Sequence, residues 1–162
     1  MPRVYIGIGS NLGPRAENVK RGLRRLNDKG FRIVSISAIY ETEPVNMPGG
    51  GRFLNLAVAA ETRESPRRCK LQLQAIEREL GRRKRHARNA PRPIDLDLLF
   101  YGRRVILEAG LVVPHPRLHE RAFVLVPLAD IAPNLIHPVR HRRIATLLKT
   151  VNRKGVRAWT RS

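Results

Sequence analysis

Pro91-Arg92-Pro93-Ile94-Asp95-Leu96-Asp97-Leu98-Leu99-Phe100-Tyr101 reads as a buried β-strand that carries two carboxylates two residues apart. Side chains alternate across a strand and the chain rises about 3.3 Å per residue, so Asp95 and Asp97 leave one face about 6.6 Å apart. Ile94, Leu96, Leu98 and Phe100 are expected on the other face. Two like charges beside apolar neighbours are costly unless a cation or hydrogen-bond donors answer them. Between Arg82 and Arg92 the chain places six Lys or Arg among eleven residues and no acid. A dication held by two carboxylates and faced by a basic segment is one way to hold a polyphosphate, because Mg²⁺ is usually bound by one or two carboxylates plus substrate phosphates. The competing structural reading pairs Asp95 and Asp97 with nearby arginines as an ion network. The pattern by itself leaves both open.

Working outward, the length of 162 residues suits one domain with a real core. The single cysteine, Cys69, excludes an intramolecular disulfide and a thiolate zinc site, which fits a reducing compartment. No apolar run approaches the roughly 18 residues needed to span a bilayer, and the first residues lack a secretory h-region. A cytoplasmic protein, monomeric and without membrane contact, is the expectation. The formal net charge of +19 predicts nonspecific attraction to polyanions, while an aromatic content of 5% leaves few stacking platforms for single-stranded nucleic acid.

Strands alternate with helices from end to end. Val4 to Gly9 reads as a strand, with Gly7, Gly9, Ser10, Asn11 and Gly13 supplying turn chemistry. Pro14 opens a helix whose Ala16, Val19, Leu23 and Leu26 form one apolar stripe, ended by Gly30. Phe31 to Tyr40 is expected as one second strand, Glu43 to Gly51 as a loop and Phe53 to Glu61 as a third strand. Ser65 and Pro66 read as N-cap and first residue of a helix that buries Cys69, Leu73, Ile76 and Leu80 and stops at Gly81. Gln74 and Glu77 share its edge at i and i+3. After the carboxylate strand come Val105-Ile106, the Pro114-His115-Pro116 turn, a short helix near Val124 to Ile131, and an amphipathic pattern at Ile144, Leu147, Leu148 and Val151. This order predicts an α+β, ferredoxin-like sandwich with a mixed, mainly antiparallel sheet.

Taken together, Gly9-Ser10-Asn11-Leu12-Gly13, Tyr40-Glu41-Thr42-Glu43-Pro44, Phe53-Leu54-Asn55, Glu77 with Gly81-Arg82, the Pro91 to Asp97 string, Pro114-His115-Pro116-Arg117, Arg121-Ala122-Phe123-Val124 and Pro127-Leu128 resemble the 6-hydroxymethyl-7,8-dihydropterin pyrophosphokinase family of folate synthesis. The resemblance covers nearly the whole chain in order. It implies transfer of pyrophosphate from ATP to the pterin hydroxymethyl oxygen with release of AMP, with two Mg²⁺ ions on Asp95 and Asp97 aligning the triphosphate. By the same resemblance Arg82, Arg92, His115 and Arg121 contact the phosphates, and such donors matter most where positioning and electrostatics carry the step. Phe53 and Phe123 would sandwich the pterin, Asn55 would read an edge, and Thr42, Glu43 and Val45 would add hydrogen bonds. Gln74, Glu77, Lys84, Arg88 and Leu98, with His115 and Arg121, would line the ATP side. The acceptor of the hydroxyl proton stays between Asp97 and a metal-bound water.

On their own, Phe53 and Phe123 are ordinary core aromatics and His115 a turn residue. Asn55 is the stronger local signal, since a buried amide needs partners. Asn89 and Ala90 stand where many relatives carry an aromatic and a glycine, which argues against adenine stacking there. The basic segment from Arg82, having repelling cations and no apolar anchor, is expected to move until a polyanion binds. Two other classes compete with the enzyme: a basic nucleic-acid-binding module, and a Mg²⁺-dependent nuclease or phosphatase built on the same carboxylates.

Overall fold

The computed structural model describes residues 1–43, 51–81 and 93–160. Val45, Arg82, Lys84, Arg88, Asn89, Ala90 and Arg92, and with them the basic segment, lie outside the described residues. The elements are β1 (Arg3–Ser10), α1 (Arg15–Asp28), β2 (Arg32–Ile36), β3 (Tyr40–Thr42), β4 (Phe53–Glu61), α2 (Pro66–Glu79), β5 (Asp95–Tyr101), β6 (Ile106–Glu108), β7 (Leu111–Val113), a 3-10 turn (Leu118–Glu120), α3 (Ala122–Ile131), α4 (Ile144–Leu148) and β8 (Val156–Ala158).

The main sheet has six strands in the order β5-β1-β4-β3-β8, with β2 also pairing β4. The helical crossovers α1 and α2 each skip a strand position, so that the strand between is filled from elsewhere in the chain. This is the ferredoxin-like α+β arrangement. The expected mixed sheet narrows accordingly, since every strand pairing among the described residues is antiparallel.

The α1 and α2 stripes bury Val19, Leu26, Cys69, Leu73 and Ile76 against Val4, Ile6, Ile8, Leu56, Val58, Leu96 and Leu98 on one face of the sheet. Ser65 caps α2 by accepting the Arg68 N–H at 3.2 Å, with Pro66 as the first helical residue. The other face carries a second core of Tyr5, Ala57, Ala59, Leu99 and Phe100 with Leu125, Leu128, Ile144 and Leu147 of α3 and α4. The amphipathic pattern expected to run to Val151 is helical only as far as Leu148.

Three sequence expectations are corrected. Phe100 does not share a face with Leu96 and Leu98. Tyr5 pairs with Phe100 and Ile6 with Leu98, so the pairing shifts by one residue at Leu99. Leu99 follows the carboxylates onto the upper face by alternation, and the bulge turns Phe100 to join it in the second core, as β-bulges commonly re-aim side chains. The second strand is broken into β2 and β3, because Ser37 leaves the ladder: its Oγ accepts the Ala57 N–H at 2.9 Å, and its own N–H donates to the Ala57 carbonyl at 2.9 Å. A serine hydroxyl competing with the backbone ladder interrupts a strand in this way. Gly7 and Gly9 are not turn residues but lie inside β1. The pair β6 and β7, and the terminal strand β8, had no sequence signal strong enough to mark them.

Candidate functional site

The pairing register places the site. Gly9 of β1 faces Asp95 on one side and Asn55 on the other, and Asn55 in turn faces Tyr40. One rung further, Gly7 lies between Asp97 and Ala57. Residues directly opposite one another in antiparallel strands share a face. Asp95, Asp97, Asn55, Phe53, Tyr40 and Thr42 therefore rise from the same side as the second core, alongside the part that α3 and α4 cover. The two glycines make the floor between carboxylates and amide free of side chains. A Cβ on Gly9 would stand 2.7 Å from Asn55 Oδ1 and 3.4 Å from the Phe53 ring. Any side chain there must displace the Asn55 amide or shift the strand.

The half-buried carboxylates look onto two cationic or polar groups from the segment after β7. His115 is fixed by its backbone N–H, which donates to the Leu99 carbonyl at 3.1 Å, and follows the cis Val113-Pro114 bond. Burial and then the Arg121 charge lower the His115 pKa against an opposing pull from Asp95. The shift favours the neutral imidazole. The Arg117 N–H donates to His115 Nδ1 at 3.4 Å, so Nε2 carries the ring proton. Arg121 precedes α3, and its guanidinium lies 5.6 Å from the centre of the Phe123 ring. Burial and the Arg117 charge lower its pKa, while Asp97 and Asp95 raise it. These four groups form one electrostatic cluster. Phe123 sits in the first turn of α3, whose Pro127 has no N–H to return to the Phe123 carbonyl.

The amide side is built on β3 and β4. Asn55 is buried and its Nδ2 donates to Thr42 Oγ1 at 2.6 Å. This is the partner the sequence demanded for an amide in an apolar strand. Phe53 is half-buried on the same face and Glu43, just past β3, is exposed. Tyr40 OH donates to Asp130 of α3 at 2.7 Å, and burial with that contact pushes its pKa up to about 12. Behind the face, Arg15 donates to Glu41 and to the Arg52 carbonyl, both at 2.8 Å, and the first of these bonds lowers the Glu41 pKa. That clamp fixes the start of α1 against β3 and β4.

The nucleotide-side residues divide. Glu77 is buried on α2, and its carboxylate accepts the Leu96 N–H at 2.9 Å, covering the outer edge of β5. Gln74 is half-buried one turn earlier. Leu98 turns its side chain into the core below α2, opposite the carboxylates. Among the described residues no group of three or more His, Cys, Asp or Glu is arranged to hold a metal. Asp95 and Asp97 are hard oxygen donors of the kind that binds Mg²⁺ when phosphates complete the shell. Sequence reasoning missed Gly7 and Gly9 as the floor, although their spacing of two inside an apolar run was the available signal.

A model of the family described as 7,8-dihydro-6-hydroxymethylpterin-pyrophosphokinase matches residues 5–133. The 2-amino-4-hydroxy-6-hydroxymethyldihydropteridine pyrophosphokinase of Bacillus subtilis is 39% identical over 156 residues, covering 96% of this chain and 89% of that protein. A folate synthesis bifunctional protein of Arabidopsis thaliana is 44% identical over 128 residues, 79% of this chain, but the chain spans only 26% of that relative's length. The crystal structure of wild-type Plasmodium falciparum HPPK-DHPS with SDX-DHP superposes with a TM-score of 0.73 at 16% identity, covering 98% of this chain and 47% of that one. That likeness is one of fold.

Proposed function

The chain belongs to the 7,8-dihydro-6-hydroxymethylpterin-pyrophosphokinase family, and on that premise we propose that it transfers pyrophosphate from ATP to 6-hydroxymethyl-7,8-dihydropterin, giving the pterin diphosphate and AMP in folate biosynthesis. In this step the hydroxymethyl oxygen bonds to the β-phosphorus, the bond from that phosphorus to the α,β-bridging oxygen breaks, and AMP leaves with the electron pair. The observation that carries the reading is the shared sheet face that runs from Asp95 and Asp97 across Gly7 and Gly9 to Asn55 and Thr42. A flat, amide-edged ring fits the Asn55 end, with Phe53 and Phe123 as candidate stacking partners, Thr42, Glu43 and Val45 as edge contacts, and a polyphosphate fits the carboxylate end.

Asp95 and Asp97 would hold two Mg²⁺ ions, which when bound neutralise and align the triphosphate. The protein's own part is positional. Arg121, with Arg82 and Arg92, offers guanidinium donors to phosphate oxygens, and neutral His115 offers its Nε2 proton without adding a charge. Gln74, Glu77 and the β5 edge at Leu98 would make up the nucleotide side, with Lys84 and Arg88 assigned to it by the family resemblance alone. The Leu98 contribution is from its backbone, since its side chain is in the core. Among the protein's own groups, Asp97 is the candidate acceptor of the hydroxyl proton, with solvent at the site as the alternative. The enzyme works in this reading as a cytoplasmic monomer, and no described helix is long and apolar enough to cross a membrane. Its +19 charge predicts salt-sensitive retention on polyanions beside the reaction.

The test is an assay for AMP from ATP. AMP forms only when the pterin and Mg²⁺ are both supplied; AMP or phosphate release without pterin would replace this reading with that of a metal-dependent hydrolase.

A further inference from the structure

The C-terminal strand β8 is far from Asp95 and Asp97 in the sheet, at the opposite end of the strand order. Its neighbour β3 is only three residues long, yet β3 carries Tyr40 and Thr42 into the amide side of the site. A strand that short holds its place only through its partners. On one side Tyr40, Glu41 and Thr42 pair with Asn55, Leu54 and Phe53 of β4; on the other they pair with Ala158, Arg157 and Val156 of β8. Two further bonds extend that second ladder beyond both ends of β3. The Trp159 N–H donates to the Ile39 carbonyl at 2.9 Å, and the Glu43 N–H donates to the Gly155 carbonyl at 3.1 Å.

The second of these bonds depends on one residue. Gly155 has φ +84°, a conformation in which other L-residues are strained, and its carbonyl accepts the Glu43 N–H from that conformation. A Cβ there would also lie 3.2 Å from Glu43 Oε2 and 3.4 Å from its Cγ, so the Glu43 side chain would have to give way by a few tenths of an ångström. Gly155, Val156, Arg157 and Glu43 line a cavity of about 170 Å³ at this corner. Gly155 therefore fixes the backbone just past Thr42, whose Oγ1 in turn fixes the Asn55 amide.

We infer that Gly155 and the β8 ladder are positioning elements for the pterin wall, setting affinity for the pterin through β3 while leaving ATP affinity alone. The inference rests on the functional reading above. Its control is built into the fold: Gly30, after α1, has φ +90° and nothing within 4 Å of its missing Cβ, so it shares the backbone demand without the site. The experiment measures dissociation constants for 6-hydroxymethyl-7,8-dihydropterin, in the presence of a non-transferable ATP analogue, and separately for that analogue alone, with thermal midpoints alongside. Gly155→Val is expected to weaken pterin binding about tenfold, since displacements well below 1 Å at a binding wall have effects of that size, with ATP-analogue binding unchanged within about twofold. Gly155→Asn, a residue that tolerates positive φ, should fall between Gly155→Val and the wild type, and serves if the valine variant does not fold. Gly30→Val should lose thermal stability with both affinities intact. Equal weakening of both ligands, equal loss in Gly155→Asn and Gly155→Val, or wild-type pterin affinity in Gly155→Val would overturn the inference. Absence of pterin binding by the wild type would instead overturn the functional reading and the inference together.

Discussion

One sheet presents two unlike faces. Below it, α1 and α2 close over a continuous layer of Val, Ile and Leu. Above it, α3 and α4 close over only the half that holds Tyr5, Ala59, Leu99 and Phe100, and the other half keeps Gly7, Gly9, Asn55, Asp95 and Asp97. The same strands feed both faces, so the division is made by alternation along β1, β4 and β5 and not by separate segments. One parity of residues serves packing alone, and the other is shared between the second core and the chemistry.

The sharpest way to break that comparison is to change neighbours on β5. Asp97→Ala and Asp95→Ala should each lower turnover on the order of a thousandfold, the scale seen when a preorganised charge partner is removed, with the fold retained because both side chains are only half-buried and stand outside the two apolar cores. Leu96→Ala, one residue away in the closed face, should do the reverse. Leu96 is 6% exposed in the lower core, and its truncation should cost about 2–5 kcal/mol in urea unfolding while the folded enzyme keeps its turnover. If Leu96→Ala abolished turnover in the folded state, or an Asp variant unfolded, the two faces would not be separable.

A second contrast lies within the upper face, between the half that carries the carboxylates and amide and the half packed under α3 and α4. His137 is buried beside Phe100, with ring centres 5.6 Å apart, and its Nδ1 accepts the Val139 and Arg140 N–H groups at 3.1 Å each. Burial, and then the charges of His119, Arg140 and His141, push its pKa down to about 4. Between that value and the ordinary one near 6.5 the unfolded chain holds a proton that the folded chain does not, so folding stability rises with pH across this window and is complete above it. The loss on going from pH 7 to pH 4 should reach about 3 kcal/mol for this group. His137→Asn keeps an acceptor for the turn and removes the titration, so its urea midpoint should vary less with pH over that range. An unchanged slope would show that other groups control acid stability.

How much of this was legible beforehand follows from the range of the interactions involved. The α2 boundaries could be read from Ser65 and Pro66, and β4 from its apolar run, because caps and periodicity are local. Asp95 and Asp97 stood out because they violate a local pattern. Three features depended on partners remote in sequence: the bulge that turns Phe100 over, set by its fit against Tyr5; the break at Ser37, made by Ala57 twenty residues on; and β8, whose short Val156–Ala158 run becomes a strand only when β3 offers an edge. Asn55 announced a buried amide, but its partner Thr42 was visible only as a resemblance. Gly7 and Gly9 were misread for a related reason: glycine near Ser and Asn looks like turn chemistry until the neighbouring strands show what the missing side chains leave room for.

Those two glycines provide the finest test of the two-face comparison, because they differ by one rung of the same strand. A methyl group on Gly9 would meet Asn55 Oδ1 at 2.7 Å, inside contact distance, whereas one on Gly7 would meet only Leu99 carbons at 3.6 Å or more, an ordinary van der Waals approach. Gly9→Ala must therefore push the Asn55 amide off Thr42 or lift β1, and pterin KM should rise about tenfold, equivalent to roughly 1.4 kcal/mol, with ATP KM little affected. Gly7→Ala should leave both constants within about twofold and match or slightly raise the thermal midpoint, as alanine restricts the unfolded chain where its backbone angles are compatible. Steady-state kinetics with each substrate varied in turn separates the two. Equal effects from both variants would mean that the whole floor, and not the Asn55 end of it, determines how the ring is held.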